Sequence, residues 1–364
     1  MLLSGDASNN PDHQSLHSIL AVRLSALGDI ILLIPTLRRI ARSFPNTKLS
    51  WLVDPIFLPL LPHLHNIELI PIRKPRRIKD YWRIYHSLRH RRFDCLLAFQ
   101  SSLRSHLIYP LIHAPLKLGY SNQQAKDLHT LFVNTHLPFK KEHLLDTAWR
   151  FADYLGATDQ TLDWGFTFTE EENSWANRLL MGAGPWLAIN PGASKPERSC
   201  RADFYVDLIL RILAAYPVQI ILTGGNNHFE MTLAATITQK CPHRLINLVG
   251  QTSLRELAIV LNHCDLTIAP DTGPLHLADA LGKPVIGLYA VAPPELSGPY
   301  HYPHWVVNQY PEAARRYLGK EPEQLPWVTR IHHPEAMSLI QVSAVLDRVS
   351  QWWTQFHTVT THHQ

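Results

Sequence analysis

The chain has 364 residues, more than one ordinary α/β domain uses and enough for two. Hydrophobic residues make up 46% and charged residues 18%, which fits a globular protein with sizeable cores and excludes disorder on a large scale. The formal charge is +4, and the excess is concentrated: nine Lys and Arg between Arg73 and Arg92 face Asp80 alone.

Met1 to Ser18 is polar and lacks the apolar core of a signal peptide, so residues 1–18 are expected to be a flexible extension and the protein to stay in the cytoplasm. Ile30 to Leu37 is short and contains Pro35, so it cannot cross a bilayer. A first domain is expected over residues 19–165. Ile19 to Leu24 reads as a buried parallel strand. After the turn Ser25-Ala-Leu-Gly-Asp29, apolar residues at three- and four-residue steps from Ile30 to Phe44 predict a helix, stopped by Pro45-Asn46. Leu49 to Val53 is the next strand, a helix follows through the basic segment, Cys95 to Phe99 is a strand, and another helix is expected near Ser101.

The periodicity lapses between Thr158 and Gly184, where the domain boundary is expected. A second domain then spans residues 185–333. Its strands are Trp186–Ile189, Val218–Leu222, Leu245–Val249, Leu266–Ile268 and Val285–Tyr289; its helices are expected near Ala202–Tyr216, His228–Gln239, before Cys264 and up to Leu281. Ser253 and Glu256 have the S-x-x-E spacing of a capping box. Residues 334–356 form a last helix, expected by analogy to pack back towards the first domain. Strands alternating with helices predict parallel sheets, an α/β fold.

The four cysteines lie far apart without a CxxC pair, and the histidines form no HExxH cluster outside the tail at His362 and His363. Buried thiols and no metal site are expected. The basic run has two readings. One is a solvated helical face; the other is a polyanionic partner, whether nucleic acid, anionic headgroups or a phosphorylated glycolipid. Tyr81, Trp82 and Tyr85 among the charges suit a membrane interface as well as a nucleic acid.

Ligands of open parallel sheets bind beyond the carboxyl ends of the strands, and three turns there carry unusual residues. In Asp271-Thr-Gly-Pro-Leu-His276, Pro274 suits the first turn of a helix. Gly273 permits close backbone approach, and free amides with the helix dipole favour an anion such as a pyrophosphate. Thr272 adds a hydroxyl, Asp271 is placed for sugar hydroxyls and His276 for a phosphate or hydroxyl; alternatively Asp271 or Thr272 only caps the helix and His276 is a core histidine. Asp29 is either a helix cap or, facing an interdomain cleft, a general base for an acceptor hydroxyl. In Asn190-Pro-Gly-Ala-Ser-Lys-Pro-Glu-Arg198, Ser194, Lys195 and Arg198 are either donors to a diphosphate leaving group or part of a solvated, charged surface. Neither a P-loop nor a G-x-G-x-x-G is present, which argues against a dinucleotide dehydrogenase.

In order and spacing, Val22-Arg-Leu-Ser-Ala-Leu-Gly-Asp29, Asn190-Pro-Gly-Ala-Ser194, Thr223-Gly-Gly225 and Ala269-Pro-Asp-Thr-Gly-Pro-Leu-His-Leu277 resemble glycosyltransferase family 9, the ADP-heptose:lipopolysaccharide heptosyltransferases. The resemblance covers roughly Ile19 to Trp353. It implies a GT-B fold of two Rossmann-like domains facing across a cleft, with the acceptor on the first and the nucleotide sugar on the second. It also implies an inverting, metal-independent transfer without a cofactor, in which Asp29 is the general base. Donor residues are then Ser194, Arg198, Thr223, Gly224, Glu230, Thr252, Asp271, Thr272, Gly273 and His276. Acceptor residues are Ser25, Gly28, Arg73, Arg76, Arg77 and Arg104. The implied reaction moves heptose from ADP-heptose to the lipopolysaccharide inner core. The implied partners are the nucleotide sugar, an anionic glycolipid and, peripherally, the inner face of the cytoplasmic membrane, with no nucleic acid.

Four places depart from the family pattern. Arg198 replaces the usual lysine and keeps the charge with a different geometry. Cys200-Arg201 replaces an aromatic-proline pair, and Ala98-Phe-Gln-Ser101 replaces the aspartate and glycine usual at that strand end. The acidic ribose partner has no clean match, His228 standing near its place and Glu230 two residues on. Two alternatives remain: a GT-B transferase with another nucleotide sugar, and a non-catalytic glycan or polyanion binder.

Overall fold

The computed structural model describes residues 16–61, 64–100, 102–125, 128–182, 184–241 and 245–357. Most of the expected N-terminal extension, the histidine tail and Ser101 lie outside them. The chain divides into two compact units. The first takes the chain up to Ser25, then Leu33–Lys140 and Leu145–Asp163; the second takes Ala26–Leu32, Lys141–Leu144 and the chain from Trp164 onward.

The first sheet contains β1 (Ser18–Val22), β2 (Lys48–Val53), β3 (Glu68–Pro71), β4 (Cys95–Leu97), β5 (Leu116–Tyr120) and β6 (Thr135–Leu137). All its pairs are parallel, in the order β3-β2-β1-β4-β5-β6. Its helices are α1 (Leu27–Ser43), α2 (Ile78–Leu88), α3 (Leu103–His106) and α4 (Leu144–Tyr154). The inner strands are continuous apolar runs because both faces are covered. Leu20, Val22, Leu52 and Leu96 meet Ile84 and Leu88 of α2 in one core. The helix expected near Ser101 is only the four-residue α3, followed by a 3-10 turn at Tyr109–Leu111. Pro110 explains the break, since it has no amide to continue an α-helix.

The second sheet contains β7 (Trp186–Ile189), β8 (Gln219–Leu222), β9 (Leu245–Asn247), β10 (Leu266–Pro270), β11 (Val285–Tyr289) and β12 (Val306–Asn308). It is also all parallel, in the order β12-β11-β10-β7-β8-β9. Renumbered from its own first strand, this is the first sheet's order again, the Rossmann order 3-2-1-4-5-6. Its helices are α5 (Glu170–Leu179), α6 (Ala202–Ala215), α7 (His228–Lys240), α8 (Leu254–His263), α9 (Gly273–Ala280), α10 (Pro294–Ser297), α11 (Tyr310–Leu318) and α12 (Val342–His357). The Ser253–Glu256 capping box forms as expected and opens α8. Val345, Val349 and Trp352 of α12 join Leu187, Ile189, Tyr205, Leu208 and Ile212 in the second core. Fully burying each such side chain stabilises the fold by about 1.5–3 kcal/mol.

The fold class is therefore the α/β pair of parallel sheets expected. All four cysteines are buried. Among the described residues no helix is long and apolar enough to cross a membrane, and no group of three or more His, Cys, Asp or Glu has the arrangement to hold a metal ion.

Candidate functional site

In each Rossmann-ordered sheet the strand order reverses beside its first strand, so loops leaving two neighbouring strands diverge and open a crevice. In the second sheet those strands are β7 and β10. Asn190-Pro-Gly-Ala-Ser194 leaves one and Asp271-Thr-Gly273 leaves the other. Around them, within the second unit, is a cavity of about 330 Å³. Gly28, Asp29, Ser194, Arg198, Gly224, Glu230, Thr252, Asp271, Thr272, Gly273 and His276 all line it.

Asp271 is the electrostatic centre. Its Oδ2 accepts from Arg198 Nη2 at 2.7 Å and lies 3.7 Å from Arg330 Nη1. Its Oδ1 lies 3.4 Å from His276 Nε2 and accepts from Ser297 Oγ at 3.4 Å. Arg198 also donates to the Asp271 carbonyl. Burial alone would raise the Asp271 carboxyl, but the His276 hydrogen bond and the Arg198, His276 and Arg330 charges outweigh it and hold it well below the usual carboxylate range. Two guanidiniums on one carboxylate leave a positive charge at this end, beside the start of α9.

Helix α9 begins at Gly273 with Pro274 in its first turn. Thr272 occupies the cap position without capping: its hydroxyl donates back to the Pro270 carbonyl at 3.0 Å. The turn therefore leaves amides of the helix start to an anion rather than to its own side chains. Two buried nitrogens here, Arg198 Nε and His276 Nδ1, have no hydrogen-bond partner. Buried polar atoms are nearly always paired; both of these belong to side chains that line the cavity.

The first turn of α1 closes against this wall. A Cβ on Gly28 would stand 2.5 Å from His276 Cδ2, and one on Gly273 would stand 2.6 Å from Leu27 Cδ2. Neither glycine can carry a side chain without displacing its neighbour. Asp29 thereby joins the same cavity. Its Oδ2 accepts from the Ala26 amide at 2.9 Å, a contact of the capping kind. Gly28, expected among the acceptor residues, lines the same cavity as Arg198, Asp271 and His276.

At the other end, Glu230 is buried. Its Oε2 accepts from the Gly225 amide at 2.6 Å and its Oε1 from the Asn227 side chain. Thr223 stands apart from the cavity wall: it is fully buried and Oγ1 has no hydrogen-bond partner. Lys195 and Ser194 are exposed, whereas Arg198 is turned inward.

The first unit carries a separate groove of about 1180 Å³. Ser25, Arg73, Arg76 and Arg104 line it, with Lys74 and Arg83. Lys74 Nζ donates to Ser25 Oγ at 3.4 Å. Arg77 does not line it; as the residue preceding α2, its amide donates to Asp80 Oδ2 at 2.9 Å. Gln100, in the departing segment after β4, accepts from the Leu24 amide at 2.8 Å and the Ser25 amide at 3.3 Å through Oε1. It holds the turn that leads to Asp29.

Sequence reasoning missed Arg330 and Ser297. Neither sits in a turn with a recognisable spacing; both reach Asp271 only through the tertiary fold.

A model of glycosyltransferase family 9 (heptosyltransferase) matches residues 81–324. The lipopolysaccharide core heptosyltransferase OpsX of Haemophilus influenzae is 30% identical over 336 residues, 92% of this chain and 96% of the relative. Among solved structures, the glycosyl transferase family 9 protein of Veillonella parvula superposes with a TM-score of 0.71 at 20% identity, over 93% of this chain and 97% of that one. The E. coli ADP-heptose lps heptosyltransferase II superposes at 0.69, 20% identity, over 93% and 99%. The two Rossmann-ordered units are thus of the GT-B type expected from the sequence.

Proposed function

The chain belongs to glycosyltransferase family 9, and from that premise we propose that it moves a heptose from ADP-heptose to the inner core of lipopolysaccharide with inversion at the anomeric carbon. The observation that carries this reading is the shared cavity of Asp29, Arg198, Asp271 and His276 beside the start of α9. The names of the relatives supply the donor and the acceptor class.

In this reading the diphosphate lies on the amides at Gly273, with Arg198 and Arg330 beside it and Ser194 adding a donor. Asp271 and His276 hold sugar hydroxyls, and Gly224, Glu230 and Thr252 border the nucleoside. Asp29 takes the proton of the acceptor hydroxyl as that oxygen bonds to the anomeric carbon. The bond from that carbon to the diphosphate oxygen breaks with its electron pair, and ADP leaves onto donors already in place. The groove of Ser25, Arg73, Arg76 and Arg104 receives the acceptor's anionic groups. The protein works in the cytoplasm, peripherally at the inner face of the membrane.

A donor panel tests the reading: ADP-heptose, ADP-glucose, GDP-mannose and a UDP-sugar, each offered with a delipidated heptose-free core acceptor. Transfer from ADP-heptose well above the others is expected. Inactivity with ADP-heptose alongside brisk use of another donor would refute it.

A further inference from the structure

Helix α2 has a face that neither the core nor the groove uses. Ile84 and Leu88 turn inward, and Asp80, Arg83, Ile84 and Ser87 border the groove. On the helix, Ile78, Trp82 and Tyr85 stand at i, i+4 and i+7 and so share one stripe. They are 89%, 64% and 44% exposed. A nearly bare isoleucine in line with two aromatics is not the scattered exposure of ordinary surfaces.

The stripe's surroundings say what fits it. Arg76, Arg77, Lys79, Arg83 and Arg89 flank it, all exposed. Trp82 is braced by His86, ring centroids 3.9 Å apart. Tyr81 donates from its hydroxyl to the Arg104 carbonyl at 2.7 Å, which brings the exposed Leu103 and Leu107 to the side of α2. An apolar and aromatic stripe within a cationic frame matches a bilayer surface: rings and aliphatic carbon enter the headgroup boundary while guanidiniums meet lipid phosphates. A second copy fits poorly, because a self-complementary contact would set these cations against themselves. A nucleic acid would leave Ile78 against solvent or phosphate.

We propose that the Ile78–Trp82–Tyr85 stripe of α2 is a docking edge that lies flat on anionic lipid. It rests on the transferase reading only for the reason a membrane is present; the surface itself would bind lipid without substrate.

Co-sedimentation of the full chain with vesicles tests it. One set is phosphatidylcholine alone, the other phosphatidylcholine with phosphatidylglycerol; no nucleotide sugar or acceptor is added. Wild type should bind the anionic set, less so as ionic strength rises. The double variant Ile78→Ser, Trp82→Ser should bind about tenfold or more weakly, with an unchanged circular dichroism spectrum and unchanged transfer to a delipidated acceptor. The proposal is overturned by equal binding to both sets, by no binding to the anionic set, or by a double variant that binds like wild type. Failure of heptose transfer would strike the transferase reading and leave the vesicle result standing.

Discussion

Asp271 shows how one residue type in one turn acquires its chemistry. It is buried, yet four side chains address it, so it stays ionised where a lone buried carboxyl would take up a proton. Because its folded pKa is depressed, the stability it brings is present above the unfolded value of about 4 and is lost as the pH falls towards the folded one. Asp271→Asn should therefore cost about 3–5 kcal/mol at neutral pH, since it strands two guanidiniums. The gap to wild type should narrow below about pH 4. Denaturant melts at pH 7 and in acid check this; a constant gap would contradict it. Much at this scale was legible, because turns after strands concentrate Asp, Thr and Gly at fixed spacings. Arg330 and Ser297 were not, because an arginine in an irregular segment and a serine ending the four-residue α10 carry no sign of where the fold will bring them.

At the scale of elements, α1 contains a proline and still runs unbroken from Leu27 to Ser43. Pro35 has no amide for the Ile31 carbonyl, which a helix would otherwise pair with residue 35. Trp164 fills the gap: its buried indole Nε1 donates to Ile31 O at 2.9 Å. Trp164→Phe should cost about 1–3 kcal/mol by orphaning that carbonyl. Adding Pro35→Ala should recover part of the loss, because the restored amide takes the carbonyl back. A double-mutant cycle by thermal or denaturant unfolding checks it, and additive losses would contradict it. Elements with strong punctuation were readable from sequence: Trp186–Ile189 and Val285–Tyr289 are strands with the bounds expected. Helix α5 was missed in the span taken as a boundary. Only Ala176 of it is buried, so it has no apolar stripe to find, but Thr169 and Glu172 form a capping box whose T-x-x-E spacing was available. Arg255 of α8 then holds it, through Glu172 Oε1 at 2.7 Å.

At the scale of the whole molecule, one strand order built twice explains why the informative turns recur. Each sheet reverses direction beside its first strand, and there the chain leaves Gln100 and Ser25 in one unit and Asn190 and Asp271 in the other. The second unit's inclusion of Ala26–Leu32 brings Asp29 to the Asp271 turn, with Gly28 against His276. Sequence alternation implied the parallel sheets; it could not give strand order, nor the wall that Gly28 and His276 share, since both depend on contacts between residues far apart in the chain, such as Ile19 with Cys95 and Gly28 with His276. The measurement closest to the centre of this account compares wild type with Asp29→Asn for heptose transfer from ADP-heptose and, separately, for donor affinity by calorimetry. Transfer should fall by about a hundredfold or more while affinity stays within about threefold. Turnover undiminished in the Asn variant would contradict the assignment of Asp29 as base.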